Sequence, residues 1–333
     1  MFWLRCAHKA LAGIYTLFNI MLGRPALYRP IFGVGGGVRK RLNLIKKTLS
    51  RSRTRRIIIV NSAFVSPWII NLLKQFGQRK VVYIQNGVYA PFWYRDTDMD
   101  SRNREMLKVA LGSDLVVFQS QFCQESFLAI HQIRQLPVKS IVLMNPSVSS
   151  KKSDRKHLYT ERTATVVANS TFFQHAKDFC NGMSLALAKE GVRLCVVGWS
   201  RTPADCPNTQ FYPVLSPQQL ELLLQKSEVV ILPDFQHAAP NIAIECLQLG
   251  KAVLYDNSGG LREILEDCGI AVGGYIFDLN NYRIGIWQDY MEKYDLARCM
   301  GESKDFLDRL SFRLSEIEIQ GDDYVDRIFS ELC

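Results

Sequence analysis

The sequence predicts an α/β protein built on open parallel sheets, and three observations carry that class. Short apolar runs alternate with stretches of helical period along most of the chain. Several runs, such as Leu115-Val-Val-Phe118 and Val229-Val-Ile-Leu232, are continuously hydrophobic, as strands buried on both faces require. The segment Val229–Val272 reads as strand, loop, helix, strand, Gly-Gly turn and helix, one and a half right-handed crossover units. At 333 residues, 47% hydrophobic and 22% charged, the chain is globular and suits two domains. That composition excludes a disordered chain.

Residues 1–25 come first. Trp3, Leu4, Ala7, Leu11, Ile14, Tyr15, Phe18 and Leu22 fall at helical spacing, with Arg5, Lys9, Thr16 and Asn19 on other sides. The uncharged stretch Ala10–Gly23 is too short to span a bilayer comfortably. It does not end in a small-residue cleavage site either. An amphipathic basic helix lying in a membrane interface fits the pattern; a helix packed on a domain is the alternative. Residues 1–95 contain no aspartate or glutamate, and the formal net charge of the chain is +9. An anionic membrane surface is therefore the expected partner. Nucleic acid is less favoured, because the basic residues follow no recognised binding motif. The nine cysteines are scattered singly, without a C-x-x-C pair, which suits buried thiols in a reducing, cytoplasmic compartment. No His/Cys cluster has metal-site spacing, so no metal is expected.

A first domain is expected over residues 26–150. It opens with a glycine-rich turn, Gly33 to Gly37, running into a helix with Val38, Leu42, Ile45 and Leu49 on one face. Such a turn can cradle a phosphate, though it is neither a dinucleotide fingerprint nor a Walker sequence. Strands are expected at 57–61, 81–85, 115–120 and 140–145, with helices at 67–76, 103–111 and 124–133. Gln85, Asn86 and Gly87 end one of these strands. Asp96-Thr-Asp98-Met-Asp100 resembles a metal–diphosphate motif, but it sits in a polar loop rather than at the end of an apolar strand. It reads as a solvated loop that partly caps the next helix. The polar, aperiodic stretch from Ser147 places a linker at 151–162, with the second domain over 163–333.

In the second domain, strands are expected at 163–169, 193–199 and 209–214, with helices at 175–191 and 217–225. The stretch Val229–Val272 then carries the chemistry. Pro240 can open a helix, since its fixed φ suits the first turn. Gly250 stands where a left-handed cap would end it. Gly259 and Gly260 lack side chains, so their amides can approach an anion. Glu245 lies behind the first loop; a carboxylate repels phosphate and instead accepts from a pair of sugar hydroxyls, as on a ribose. Taken singly, Glu245 also fits a solvated helix residue and Gly259-Gly260 an ordinary turn.

Pro240-Asn241, Glu245, Gly250 and the loop Gly259-Gly260-Leu-Arg-Glu263 together resemble the donor-binding half of the GT-B glycosyltransferases, in particular the large retaining group. The resemblance implies two Rossmann-like doubly wound parallel-sheet domains facing a cleft, with terminal helices near the first domain or crossing back to it. It also implies sugar transfer from a nucleotide diphosphate sugar to an acceptor hydroxyl on a glycan or lipid-linked acceptor, with retention and without a cofactor. Glu245 would hold the donor ribose, and Gly259, Gly260 and Glu263, with Asn241, would face the donor sugar and phosphates. Gly35, Gly36 and Gly37 would meet the diphosphate from the first domain. Lys177 matches one half of a basic clamp, whose usual arginine is here Phe172. His237 stands where the family carries glutamate, and would lie nearest the transferred sugar as a hydrogen-bond partner. These two departures keep a catalytically silent subunit open, and the basic first half keeps a polyanion-binding protein open. An oxidoreductase built on Gly33–Gly37 would need an acidic ribose ligand, which residues 1–95 do not contain.

Overall fold

The computed structural model describes residues 26–27, 57–61, 65–75, 80–90, 98–144, 162–168, 176–198, 206–233, 236–278, 285–322 and 324–332. The chain divides into two compact units, Met1–Val148 with Ile317–Cys333, and Ser149–Glu316. The expected segments 1–25, Gly35–Gly37 and the linker 151–161 lie outside the described residues.

The first unit holds a parallel sheet in the order β1-β2-β3-β4-β5: Ala26–Leu27, Ile57–Asn61, Lys80–Gln85, Leu115–Phe118 and Ser140–Val142. Every described pairing in it is parallel. Successive side chains of a strand point to opposite faces, so the run Ile57 to Val60 needs cover on both sides. Helices α1 (Pro67–Gln75), α2 (Met99–Gly112) and α3 (Gln121–Ile130) follow β2, β3 and β4. Asp98 caps α2, its carboxylate accepting the Ser101 N–H at 3.0 Å. That is the capping use expected for the Asp-x-Asp stretch.

The second unit holds a parallel sheet in the order β11-β10-β9-β6-β7-β8. Its strands are β6 (Thr163–Val167), β7 (Arg193–Val197), β8 (Thr209–Tyr212), β9 (Val229–Leu232), β10 (Ala252–Ser258) and β11 (Ile270–Ile276). Helices α4 (Lys177–Lys189), α5 (Pro217–Lys226), α6 (Asn241–Gln248) and α7 (Leu261–Leu265) alternate with them. A 3-10 turn, Glu266–Cys268, then leads into β11. Helix α8 (Trp287–Glu302) packs beside α4 on one face, where Phe179, Met183, Tyr290 and Tyr294 cover Ala164, Val166, Leu194, Ile231 and Leu254. On the same face Gly182 is a spacing requirement, since a Cβ there would stand 2.3 Å from the Trp287 indole nitrogen.

Two expectations need correction. The segment from Ile270 suggests no strand by its pattern, because Gly273-Gly274 interrupts the apolar run, yet β11 continues through both glycines to Ile276. It is an edge strand with an irregular register against Asp256 and Ser258, so its sequence lacks the continuous apolar run of the central strands. The second domain also does not extend to residue 333. Helix α9 (Lys304–Asp322) contains the division, and α10 (Tyr324–Leu332) belongs to the first unit. The reason is amphipathic spacing. Tyr324 and Ile328 close the core over Ile57, Ile59, Val82, Ile84, Leu115 and Val117, and Lys139 pairs with Glu331 at 3.0 Å.

Before that division, α9 holds α7 in place. Arg313, 6% exposed, donates from Nε to the Ile264 carbonyl at 3.1 Å and from a terminal nitrogen to the Glu263 carbonyl. It also pairs with Glu266 at 2.9 Å and Glu316 at 3.0 Å. The guanidinium therefore satisfies carbonyls left open at the end of a five-residue helix. Arg313→Ala is expected to lower the unfolding free energy by about 2 kcal/mol, because buried acceptors lose their donor. A urea titration reads this, and an unchanged midpoint would remove the role.

Candidate functional site

The order of the second sheet locates the site. From β6 the chain adds β7 and β8 on one side, then returns to lay β9, β10 and β11 on the other. The connections leaving β6 and β9 therefore run to opposite faces of the sheet, opening a crevice at their carboxyl ends. Lys177 begins the helix after β6, and Gln236, His237 and Pro240 belong to the connection after β9. The turn Gly259-Gly260 follows the neighbouring strand β10.

Two of these connections are joined. The Gly260 N–H donates to the His237 carbonyl at 2.8 Å. Gly259 takes φ +68°, and a Cβ on it would stand 2.5 Å from the His237 oxygen and 2.7 Å from its nitrogen. The glycine pair thus joins the two connections to each other. Gly260's amide is spent on seating His237, and Gly259 is needed for close backbone approach.

Beneath them, the Gln236 N–H donates to the Ser258 hydroxyl at 2.7 Å, and Ser258 donates to the Asp256 carboxylate. The Gln236 side chain donates to the Asp278 carbonyl at 2.5 Å, which ties the same connection to the end of β11. Gln236 itself holds φ +52°, a left-handed conformation that needs such surroundings to persist. Burial lowers the half-buried His237 imidazole to about 4, so the ring is neutral at physiological pH. Burial raises the Asp256 carboxyl to about 6, against the opposing effect of the Ser258 hydrogen bond.

Helix α6 starts at Asn241 behind the cap residue Pro240 (φ −73°), and Gly250 follows its end at φ +69°. Asn241 and Glu245 are one turn apart and both half-buried, whereas Ala243, Ile244, Cys246 and Leu247 face inward. Helix α7, carrying Glu263, packs on α6. Lys177 is exposed at the first position of α4. So His237, Gly259 and Gly260 are in direct contact, Asn241 and Glu245 share a helix, and Lys177 begins the helix that follows the neighbouring strand β6. Gly35, Gly36 and Gly37 lie outside the described residues. In the first unit, Gln85 is fully buried and bonds the Gly87 carbonyl at 3.0 Å. It shapes the turn at the end of β3.

Sequence reasoning missed Asp256, Ser258 and Gln236. One signal was available: an aspartate directly continues the buried run Ala252–Tyr255, where an unpartnered carboxylate would be costly.

No protein-family model matches the chain, and no curated protein matches it. Solved structures do. A glycosyltransferase from Rickettsia africae is 15% identical, with a TM-score of 0.60 over 97% of this chain and 94% of that one. Sucrose-phosphate synthase from Thermosynechococcus elongatus is 14% identical, with a TM-score of 0.56 over 91% and 82%. HepE from Anabaena, in complex with UDP, is 13% identical, with a TM-score of 0.56 over 86% and 82%. Among the described residues no helix is long and apolar enough to cross a membrane. The chain has the fold of the GT-B glycosyltransferases, with two parallel α/β units.

Proposed function

We propose that the second unit binds a nucleotide diphosphate sugar and that the protein transfers the sugar to a hydroxyl of a glycan or lipid-linked acceptor. One observation carries this reading. The His237 connection and the Gly259-Gly260 turn are joined at the carboxyl edge of a parallel sheet, beside its switch point. The likeness to HepE, solved with UDP and also with UDP-glucose, supports a donor of the same class. Glu245 accepts the ribose hydroxyls, and Lys177 with the amino end of α6 at Asn241 neutralises the diphosphate. In this reading fixed dipoles and a lysine, rather than a metal or cofactor, stabilise the leaving group. The neutral His237 ring hydrogen-bonds the transferred sugar; with its proton lost near pH 4 it is no general acid at neutral pH. Retention of configuration rests on the family resemblance. The basic segment 1–25 would bring the enzyme to the cytoplasmic face of an anionic membrane.

A thermal-shift panel of UDP-, GDP-, ADP- and CMP-sugars tests the donor site, since a ligand of the folded state raises its melting temperature. One nucleotide class is expected to stabilise the wild type. Glu245→Ala should weaken that nucleotide by roughly 10- to 100-fold, as loss of charged hydrogen bonds does. No shift with any class would turn the assignment to a silent subunit or a polyanion-binding protein. His237→Ala should lower turnover by about tenfold or more, a loss of about 1.4 kcal/mol in the transition state, with little change in melting temperature. Wild-type turnover in that variant would end the role of His237.

A further inference from the structure

The proposed donor site contains a second layer whose chemistry the nucleotide reading leaves unused. Asp256 and Ser258 lie two residues apart on β10, across the register shift against β11, and their side chains are hydrogen-bonded. Ser258 is fully buried, and its hydroxyl can donate one hydrogen bond while accepting others. It donates to the Asp256 carboxylate, which leaves its oxygen lone pairs turned to the Gln236 N–H, 2.7 Å away. A hydroxyl without such an acceptor could rotate and turn its hydrogen elsewhere. The next residue after Gln236 is His237, whose carbonyl receives the Gly260 N–H at 2.8 Å. The peptide groups at the two ends of the Gln236-His237 pair are thereby fixed: the one before the Gln236 Cα through Ser258 on β10, the one after the His237 Cα through Gly260 in the turn that follows β10. The left-handed φ of Gln236, +52°, is the conformation that this double attachment holds.

We propose that Asp256 and Ser258 are positioning residues, which aim the His237 imidazole by strapping the backbone of Gln236 to the end of β10. Neither touches the donor. The inference rests on the reading of His237 as the partner of the transferred sugar, and it separates positioning from nucleotide binding. The nucleotide is held by α6 and Lys177, outside the strap, so its affinity should survive when the strap is cut.

The test uses the full chain and three variants, Ser258→Ala, Asp256→Ala and Asp256→Asn. The asparagine keeps an oxygen that accepts from Ser258. Hydrolysis of UDP-glucose, GDP-mannose or ADP-glucose, in which water takes the sugar and the nucleoside diphosphate leaves, reads turnover without the acceptor. Titration of the free nucleotide diphosphates reads binding. Hydrogen exchange of peptides covering 236–240 and 258–261 reads the strap itself. Ser258→Ala and Asp256→Ala should lower kcat by about 5- to 150-fold, the range spanned by one orphaned buried amide. They should also speed exchange in both peptides and leave nucleotide affinity within about twofold. Asp256→Asn should recover most of the kcat lost in Asp256→Ala. Unchanged kcat or unchanged exchange in Ser258→Ala overturns the proposal, as does a parallel loss of nucleotide affinity. Equal impairment of the alanine and asparagine variants does so too. A wild type that releases no nucleotide sinks the transferase reading instead, while the exchange comparison still decides the strap.

Discussion

Gly259→Ala is expected to lose about 100-fold or more in turnover while the protein stays folded. At φ +68° an alanine costs about 1 kcal/mol relative to glycine. The larger part comes from space. The new Cβ would lie 2.5 Å from the His237 oxygen, 2.7 Å from its nitrogen and 2.8 Å from the Gln236 carbonyl carbon. All three are main-chain atoms, so no rotamer change relieves the contact. The His237 connection must move away from β10, breaking the Gly260 bond to His237 and straining the Gln236 bond to Ser258. Two to three kcal/mol is the expected scale of that overpacking, and each ~1.4 kcal/mol expressed at the transition state is about tenfold in rate. Gly273→Ala supplies the control. Its φ is +75°, but nothing lies within 4 Å of the added Cβ, so only the backbone cost of about 1 kcal/mol applies. Turnover and urea midpoints of the two variants separate strain from displacement. A Gly259→Ala enzyme as active as Gly273→Ala would show that the close approach has no part in the chemistry.

That contrast shows what the sequence could and could not reveal. Strands buried on both faces leave a direct record, because every residue of Ile57–Val60 or Val229–Leu232 must be apolar. The edge strand β11 leaves none, since Gly273 and Gly274 interrupt it and its neighbour pairs irregularly. The Gly259-Gly260 pair was legible as an unusual backbone site, and Gly250 as a helix stop, because Gly259 and Gly250 hold positive φ where a side chain would be strained. Their purpose was not legible. Whether a glycine faces an anion or another loop depends on which connection the sheet brings beside it. That is decided by the order β10-β9-β6, which lies in tertiary pairing rather than in local pattern. The strap was hidden for the same reason: Gln236 and Ser258 are 22 residues apart. Helix α10 was harder still. Its Tyr324 and Ile328 spell an amphipathic helix, but a helical period names no partner, and only the fold assigns it to the first unit.

Asp256→Asn is expected to change how stability depends on pH, and the sign follows from two opposed groups. Asp256 titrates near 6 in the folded protein, against about 3.9 in an unfolded chain. The folded state therefore binds more protons through that window, and this group's contribution to stability is lost as pH rises from about 4 to 6. His237 works the other way. Its folded value is about 4 and its unfolded value about 6.5, so its contribution is full above about 6.5 and is lost as pH falls toward 4. The Asp256 difference corresponds to about 3 kcal/mol at most; solvent reaches the half-buried histidine and trims its share. Through one window the two slopes oppose, and the wild type gains little net pH dependence from the pair. Asparagine keeps the acceptor for Ser258 and removes the proton. The stability of Asp256→Asn relative to wild type should therefore climb by up to about 3 kcal/mol between pH 4 and 6 and then level. His237→Ala should give the opposite trend, smaller in size. Urea unfolding at pH 4, 5, 6 and 7 measures both differences. Parallel profiles for Asp256→Asn and wild type would mean that the carboxyl is solvated, and that nothing in the site resists its ionisation. Opposed profiles would mean that near neutral pH the protein tolerates a buried carboxylate under the His237 connection. A stability cost of that kind is retained where geometry, rather than packing, is what the residue supplies.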